Sequence, residues 1–288
     1  MFKQYKLKNY KFILVLFVVI LNVIGILLIG SAKPSVQGKQ IVGMIAGLSI
    51  MVILSLIDYN FILKFAWLIY LFMLGTLLLV MFAGDDAGGA QRWFEIGGFR
   101  FQPSELAKIL IILFFAYFFM KHEEKINTPK VLIMSLILAG IPLALILKQP
   151  DLSTTIVTAL IFAALLFVAG LSYKIVVGVL AVSVPSAIIL FTLLIQDKLP
   201  FIKSYQVTRV MAWLYPDDYP ADAYQQQNSI MAIGSGQLWG KGLNNTDATS
   251  VKNGNFIPEP QTDFIFAVAG EELGFIGTVI IIILLLFI

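Results

Sequence analysis

Eight separate apolar runs, each of about the length needed to cross a bilayer, leave this chain few ways to fold. They cover residues 12–30, 40–57, 61–82, 105–120, 131–147, 153–170, 174–195 and 263–288. Hydrocarbon offers no water to backbone N–H and C=O groups, so segments within it must satisfy those groups internally, and runs of this length do so as α-helices. The sequence therefore predicts an all-α polytopic integral membrane protein, with one transmembrane domain over residues 1–288. A soluble domain with that many wholly buried helices would need more polar surface than the 13% of charged residues, set against 59% hydrophobic ones, can supply.

Charge orients the spans. Lys3, Lys6, Lys8 and Lys11 precede the first run, and the positive-inside rule puts them in the cytoplasm. The run after them is too long for a signal-peptide core and lacks a small-x-small cleavage site, so it reads as an uncleaved first span. Alternation then assigns 58–60, 121–130 and 171–173 to the cytoplasm, and 33–39, 84–104, 148–152 and 196–262 to the outer side. Most polar residues able to do chemistry fall outside. The single histidine, His122, falls inside as a solvated loop residue. The absence of Cys excludes disulfides, thiolate chemistry and Cys-based metal sites, so acid–base work must rest on Asp, Glu, Lys or Tyr. A net charge of +3 with no basic run beyond the N-terminus gives no reason to expect a nucleic-acid partner.

The outer stretch 196–262 is longer than a connection requires, which points to function or disorder. Val207, Val210, Met211 and Leu214 follow i, i+3, i+4, i+7 spacing, so 204–215 reads as an amphipathic helix at the membrane interface, anchored by Trp213 and Tyr215. A Pro/Asp turn at 216–220 and a short helix over 224–233 follow, ended by Gly234-Ser235-Gly236. A second glycine pair brackets Lys241, and 244–255 is polar and expected to be mobile. No internal repeat and no matched pair of broken helices appears, which weighs against an inverted-repeat transporter.

Three polar constellations fall on the outer side. In the first, Pro103 suits the first helical position and Glu105 complements the positive end of the helix dipole. Neither role explains Lys108, which shares a face with Glu105 and reads as its ion-pair partner in the protein interior, facing a cavity. Lys148 ends one span, and Asp151 starts the next either as an N-cap or as a functional carboxylate. In PEPQTDFIFAVAGEELG, Asp263 opens the last run with Glu271 and Glu272 about two turns further in. Thr262 or Asp263 could simply cap that helix, but charge at membrane depth is costly enough to suggest function. Carboxylates for proton transfer beside cations for phosphate, with Arg209 on the interfacial helix above them, suit a lipid-linked phosphate or pyrophosphate substrate.

RWFEIGGFRFQPSELAK, KQPDLST, NSIMAIGSGQLWGKG and PEPQTDFIFAVAGEELG, in this order, resemble the signatures of the SEDS family of peptidoglycan polymerases, which includes RodA, FtsW and SpoVE. GAQRW and Lys241-Gly242 are more similar to the RodA branch. That family has ten spans, so a chain ending inside an apolar run at Ile288 is expected to lack the last two. Gln261 stands where many members carry His, so no imidazole would assist Asp263.

The resemblance implies a glycosyltransferase of the bacterial cytoplasmic membrane, with its N-terminus inside and its active face outside. It would polymerise lipid II, the undecaprenyl-pyrophosphate-linked disaccharide peptide, for cell-wall synthesis, cell shape or division, beside a class B penicillin-binding protein transpeptidase. Asp263 matches the family's essential aspartate and would be the general base. Arg92, Lys108 and Arg209, with or without a divalent cation such as Mg or Mn, would neutralise the leaving pyrophosphate. Glu105 would orient Lys108, Asp151 would hold the cation or a sugar hydroxyl, and Gln102 and Lys148 join the substrate-binding set. A lipid II flippase is the first alternative. On an ideal helix Glu271 lies about 80° and Glu272 about 180° from Asp263, which does not line one pathway. A non-catalytic scaffold is the second, and it leaves the gathered carboxylates and cations unexplained.

Overall fold

The computed structural model describes residues 10–86, 91–96, 99–196, 204–246, 250, 253–254 and 256–288; Lys3, Lys6 and Lys8 therefore lie outside the described residues. Every apolar run forms helix: α1 (Phe12–Ala32), α2 (Pro34–Ser55), α3 (Tyr59–Leu63) with α4 (Ala66–Ala83), α5 (Pro103–Lys121), α6 (Pro129–Lys148), α7 (Leu152–Val168), α8 (Tyr173–Ile195) and, last, α11 (Ile265–Phe287). Between the last two lie α9 (Ser204–Leu214), the expected amphipathic helix, and α10 (Pro220–Ser235). Among the described residues, seven helices are long and apolar enough to span a membrane. The 17 residues of α7 still reach about 26 Å at 1.5 Å per residue, close to the core thickness. Surface character agrees, because α2 and α8 bury no residue yet expose Ile45, Ile53, Val182 and Ile188. The protein is a polytopic membrane protein.

Three boundaries differ from expectation. The second span starts at Pro34, where a proline's missing N–H costs nothing, so the expected 33–39 loop is mostly helix. The third run is divided, and Asp58 caps its short first piece by accepting from Asn60 N at 2.9 Å. The 84–104 loop carries an antiparallel meander of β1 (Asp85–Asp86), β2 (Gln91–Ile96) and β3 (Phe99–Phe101). Strands this short leave little alternation to read.

The chain divides into two compact units, residues 57–188 and residues 2–56 with 189–288. In the first unit α5 packs on α4 and α7. Ile111, Phe114, Phe115 and Phe118 form one stripe of α5, buried with Met73, Leu77 and Phe162. Phe115 meets Phe162 with ring centroids 4.8 Å apart, and Phe114 meets Tyr70 at 4.4 Å. Lipid tails are as apolar as these side chains, so interlocking shape and dispersion, rather than escape from water, hold such helices together.

In the second unit α11 packs on α1 and α10, and its register against α1 sets its level in the membrane. Ser31 Oγ donates to Glu272 Oε1 at 2.6 Å, while at the other end the Phe17 and Phe287 rings lie 6.2 Å apart. The 21 residues of α1 rise about 31 Å, one core thickness. The stretch of α11 that spans beside it therefore begins near Glu272, and its first turns project beyond the end of α1. Glu271 and Glu272 lie two turns into α11, as expected from the sequence, buried and level with the end of α1.

Just after the two glutamates α11 is broken. Gly274 adopts φ 68°, ψ −168°, and the freed backbone groups are met by the turn after α10. Lys241 N and Gly242 N donate to Glu271 O and Glu272 O at 2.9 and 3.0 Å, while Phe275 N and Ile276 N donate to Gln237 O and Leu238 O at 2.8 and 3.2 Å. Gly240, at φ 77°, and Gly274 make the contact possible, since a Cβ on either would strike the other segment's backbone.

Candidate functional site

The first unit gathers polar side chains where α5 and α7 begin and α6 ends. Asp151 is the N-cap of α7, accepting from Thr154 N at 3.1 Å through Oδ1, and its Oδ2 accepts from Gln102 Nε2 at 2.9 Å. The capping role is thus real, and the long-range bond to Gln102 is added to it. Arg92 Nη2 donates to Pro150 O at 2.8 Å, which joins β2 to the α6–α7 turn. Its Nε is buried without a partner among the described residues. Lys108 Nζ and Glu105 Oε1 form the expected pair at 2.9 Å, with side chains 26% and 56% exposed. The pair lies on the surface of its unit and not in the interior. Lys148 closes α6 and is exposed. His122 is the C-cap residue of α5, half-buried, with its ring against Phe118 and Nδ1 2.8 Å from Phe118 O.

The second unit holds Asp263. The last helix begins at Ile265 with Phe264 as N-cap and no side-chain cap, so neither Thr262 nor Asp263 caps it. Asp263 lies in the preceding turn, exposed, with no hydrogen bond or ion pair among the described residues. Glu259 knits that turn together. Its carbonyl accepts from Thr262 N at 3.1 Å and Thr262 Oγ1 at 3.0 Å. Its carboxylate accepts from Gln261 Nε2 and pairs with Lys33 Nζ at 3.4 Å, which ties the turn to the end of α1. Gln261, which stands where a histidine was considered, is buried and braces Glu259. The result is a braced turn that presents one uncommitted carboxylate. Arg209 falls in α9, and its side chain lies outside the described residues.

Sequence reading missed two contacts of this unit. Lys241 Nζ pairs with Glu271 Oε1 at 2.7 Å, with the Glu271 side chain only 3% exposed. The pair lines a cavity of about 350 Å³ with Asn228, Ser235, Met231 and Phe256. On another side of α11, Asn244 N donates to Ser31 Oγ at 3.0 Å and Ser31 in turn donates to Glu272. Parts of the 244–255 segment expected to be mobile are thereby tied down, and Asn253 Nδ2 also donates to Asn245 O at 2.9 Å; residues 247–249, 251–252 and 255 lie outside the described residues. The available signal was that Lys241 stands between Gly240 and Gly242 and that Glu271 follows Gly270, but nothing local joins them. The two glutamates face different partners, and the helix break is met by the turn after α10.

No three His, Asp or Glu side chains converge to hold a metal among the described residues, and both Asp151 oxygens are already engaged.

The family model of the FtsW/RodA/SpoVE cell cycle proteins matches residues 6–288. The probable peptidoglycan glycosyltransferase FtsW of Haemophilus influenzae is 36% identical over 75% of this chain and 52% of its own length. The protein of that name from a Geobacter species is 32% identical over 96% of this chain and 76% of its own. The chain thus spans about half the length of some curated relatives. These relatives carry the FtsW name and lend no support to the RodA branch in particular. Among solved structures, one from a study of how a peptidoglycan synthase complex coordinates polymerization and crosslinking superposes with a TM-score of 0.72 at 28% identity, covering 96% of this chain and 75% of that one. The rod shape determining protein RodA of Thermus thermophilus superposes with a TM-score of 0.61 at 25% identity, covering 96% and 71%.

Proposed function

The chain belongs to the FtsW/RodA/SpoVE family of cell cycle proteins, and on that premise we propose that it polymerises lipid II into glycan strands, as the glycosyltransferase half of a peptidoglycan synthase. Asp263 carries the reading, as an exposed carboxylate on a braced turn that neither caps a helix nor pairs with another residue among those described. A group without a structural task is free to take a proton. In the proposed step Asp263 accepts the proton of the acceptor GlcNAc 4-hydroxyl as that oxygen attacks C1 of the donor MurNAc. The C1–O bond to undecaprenyl pyrophosphate breaks and the anomeric configuration inverts. Within the first unit, Arg92, Lys108 and Lys148 are proposed as a phosphate-binding set of their own, since hydrogen bonds to charged oxygens are at their strongest there. Gln102 and Asp151 hold the α5 and α7 ends in place.

The site is proposed to face the outside of the cytoplasmic membrane, with a class B penicillin-binding protein alongside to crosslink the product. The family relationship and the structural likeness to a peptidoglycan synthase complex support that partner. For orientation, a maleimide-reactive cysteine at Asn245 should label from the outer side, and labelling only from the cytoplasmic side would reverse the proposal.

The decisive assay compares wild type with Asp263→Asn and Asp263→Ala for glycan-strand synthesis from labelled lipid II, in full-length protein with its partner. General-base catalysis is typically worth about 10² to 10⁴ in rate. Because Asp263 caps nothing, both variants should fold, bind the partner and make almost no polymer. Near-wild-type polymer from Asp263→Asn would end the general-base assignment.

A further inference from the structure

Polarity runs along α10 instead of around it. Its first half exposes Asp222, Gln225, Gln226 and Gln227. Its second half and the turn that follows expose Ile230, Met231, Leu238 and Trp239, at 62, 60, 58 and 79% of their surface, with only Ser235 and Gln237 as exposed polar side chains among residues 230–239. An amphipathic helix lying flat on a membrane would separate polar from apolar around its axis. Separation along the axis is what a helix needs when one end stands in water and the other in lipid.

The second unit fixes where that apolar end lies. Gln237 O, Leu238 O, Lys241 N and Gly242 N are all bonded to α11 around Gly274, next to Glu272, which is level with Ser31 one residue before the end of α1. The turn therefore sits where the hydrocarbon core begins. Irregular backbone is tolerated there because those polar groups are turned inward and satisfied, while the Leu238 and Trp239 side chains point away from the clasp. Tryptophan is enriched at that level of a membrane.

We infer that α10 dips into the bilayer with its C-terminal end first, and that Leu238 and Trp239 are an anchor inserted among lipid chains just below the headgroups. The anchor holds the turn that clasps α11. It is independent of the polymerase assignment, since it concerns only where one surface meets lipid.

The native chain has no Cys, so single spin labels can be placed at Trp239→Cys and, as a second position, Leu238→Cys. Both side chains are exposed and the clasp uses backbone alone, so folding should survive either change. In vesicles of phosphatidylethanolamine and phosphatidylglycerol, collision with oxygen and with a water-soluble nickel chelate is compared with two references. Val182→Cys, in the middle of α8, reports lipid, and Gln226→Cys reports water. Labels at 238 and 239 should meet oxygen readily and nickel poorly, as at Val182. Nickel accessibility equal to that at Gln226 would place the turn in water and overturn the proposal. Low accessibility to both would mean that protein, from this chain, a second copy or a partner, covers the surface, and would overturn it equally.

Discussion

In the first unit Glu105 stands in the first turn of an unbroken helix, three residues from Lys108 and more than half exposed. In the second, Glu271 is 3% exposed beside a helix break and pairs with Lys241, thirty residues away in sequence. The two ion pairs have similar lengths, 2.9 and 2.7 Å, but their consequences differ. An exposed pair exchanges one solvated state for another and gains little. A buried pair is different, because either partner left alone keeps the desolvation cost without the compensation. The first unit is held by an aromatic core, so its pair is available for other work. The second unit has smaller apolar clusters around α11 and depends on the glycine-lined clasp and the pair beside it.

The largest effect should come from Lys241→Met, which removes the Nζ partner of the buried Glu271 Oε1. Losing one partner of such a pair costs roughly 3–5 kcal/mol, read as a drop in thermal midpoint followed by circular dichroism in detergent. Glu271→Gln in the same chain should recover much of the loss. A Lys241→Met protein as stable as wild type would erase the contrast between the units.

A smaller effect is expected at Asp151. Replacing an N-cap by Ala costs about 0.5–2 kcal/mol, and Asp151→Ala also loses the bond from Gln102. Asp151→Asn keeps a capping oxygen and should stay near wild type in the same melt. If Asn were as damaging as Ala, the negative charge itself would matter, and the carboxylate would belong with the substrate-binding groups.

The smallest change in stability belongs to Glu105→Gln, at about 1 kcal/mol or less for an exposed pair. Polymer yield is the sharper measurement. A melt near wild type combined with a clear loss of product would assign Glu105 to orienting Lys108, whereas unchanged product would leave the pair as surface decoration.

Much of this was legible in the sequence because it is local. Apolarity over about twenty consecutive residues dictates a spanning helix wherever it occurs, and each of the eight runs became helix. Glu105 and Lys108 meet because three residues along a helix bring side chains to one face. Asp151 caps because it immediately precedes an apolar run. The meander of β1 to β3 was not legible, since strands of two, six and three residues carry too little pattern.

The sequence by itself determined the membrane class, the spans, the collection of charged groups near helix ends and the family signatures, all carried by neighbouring residues. Tertiary structure decided what those groups do. Ser31 and Glu272 are 241 positions apart, yet their bond sets the register of α11 against α1. The start of α11 at Ile265 took Asp263 out of a capping position that local pattern allowed. Lys241 reaches Glu271 because Gly240 and Gly274 let two backbones approach, and a long-range approach of that kind leaves no periodic trace along the chain.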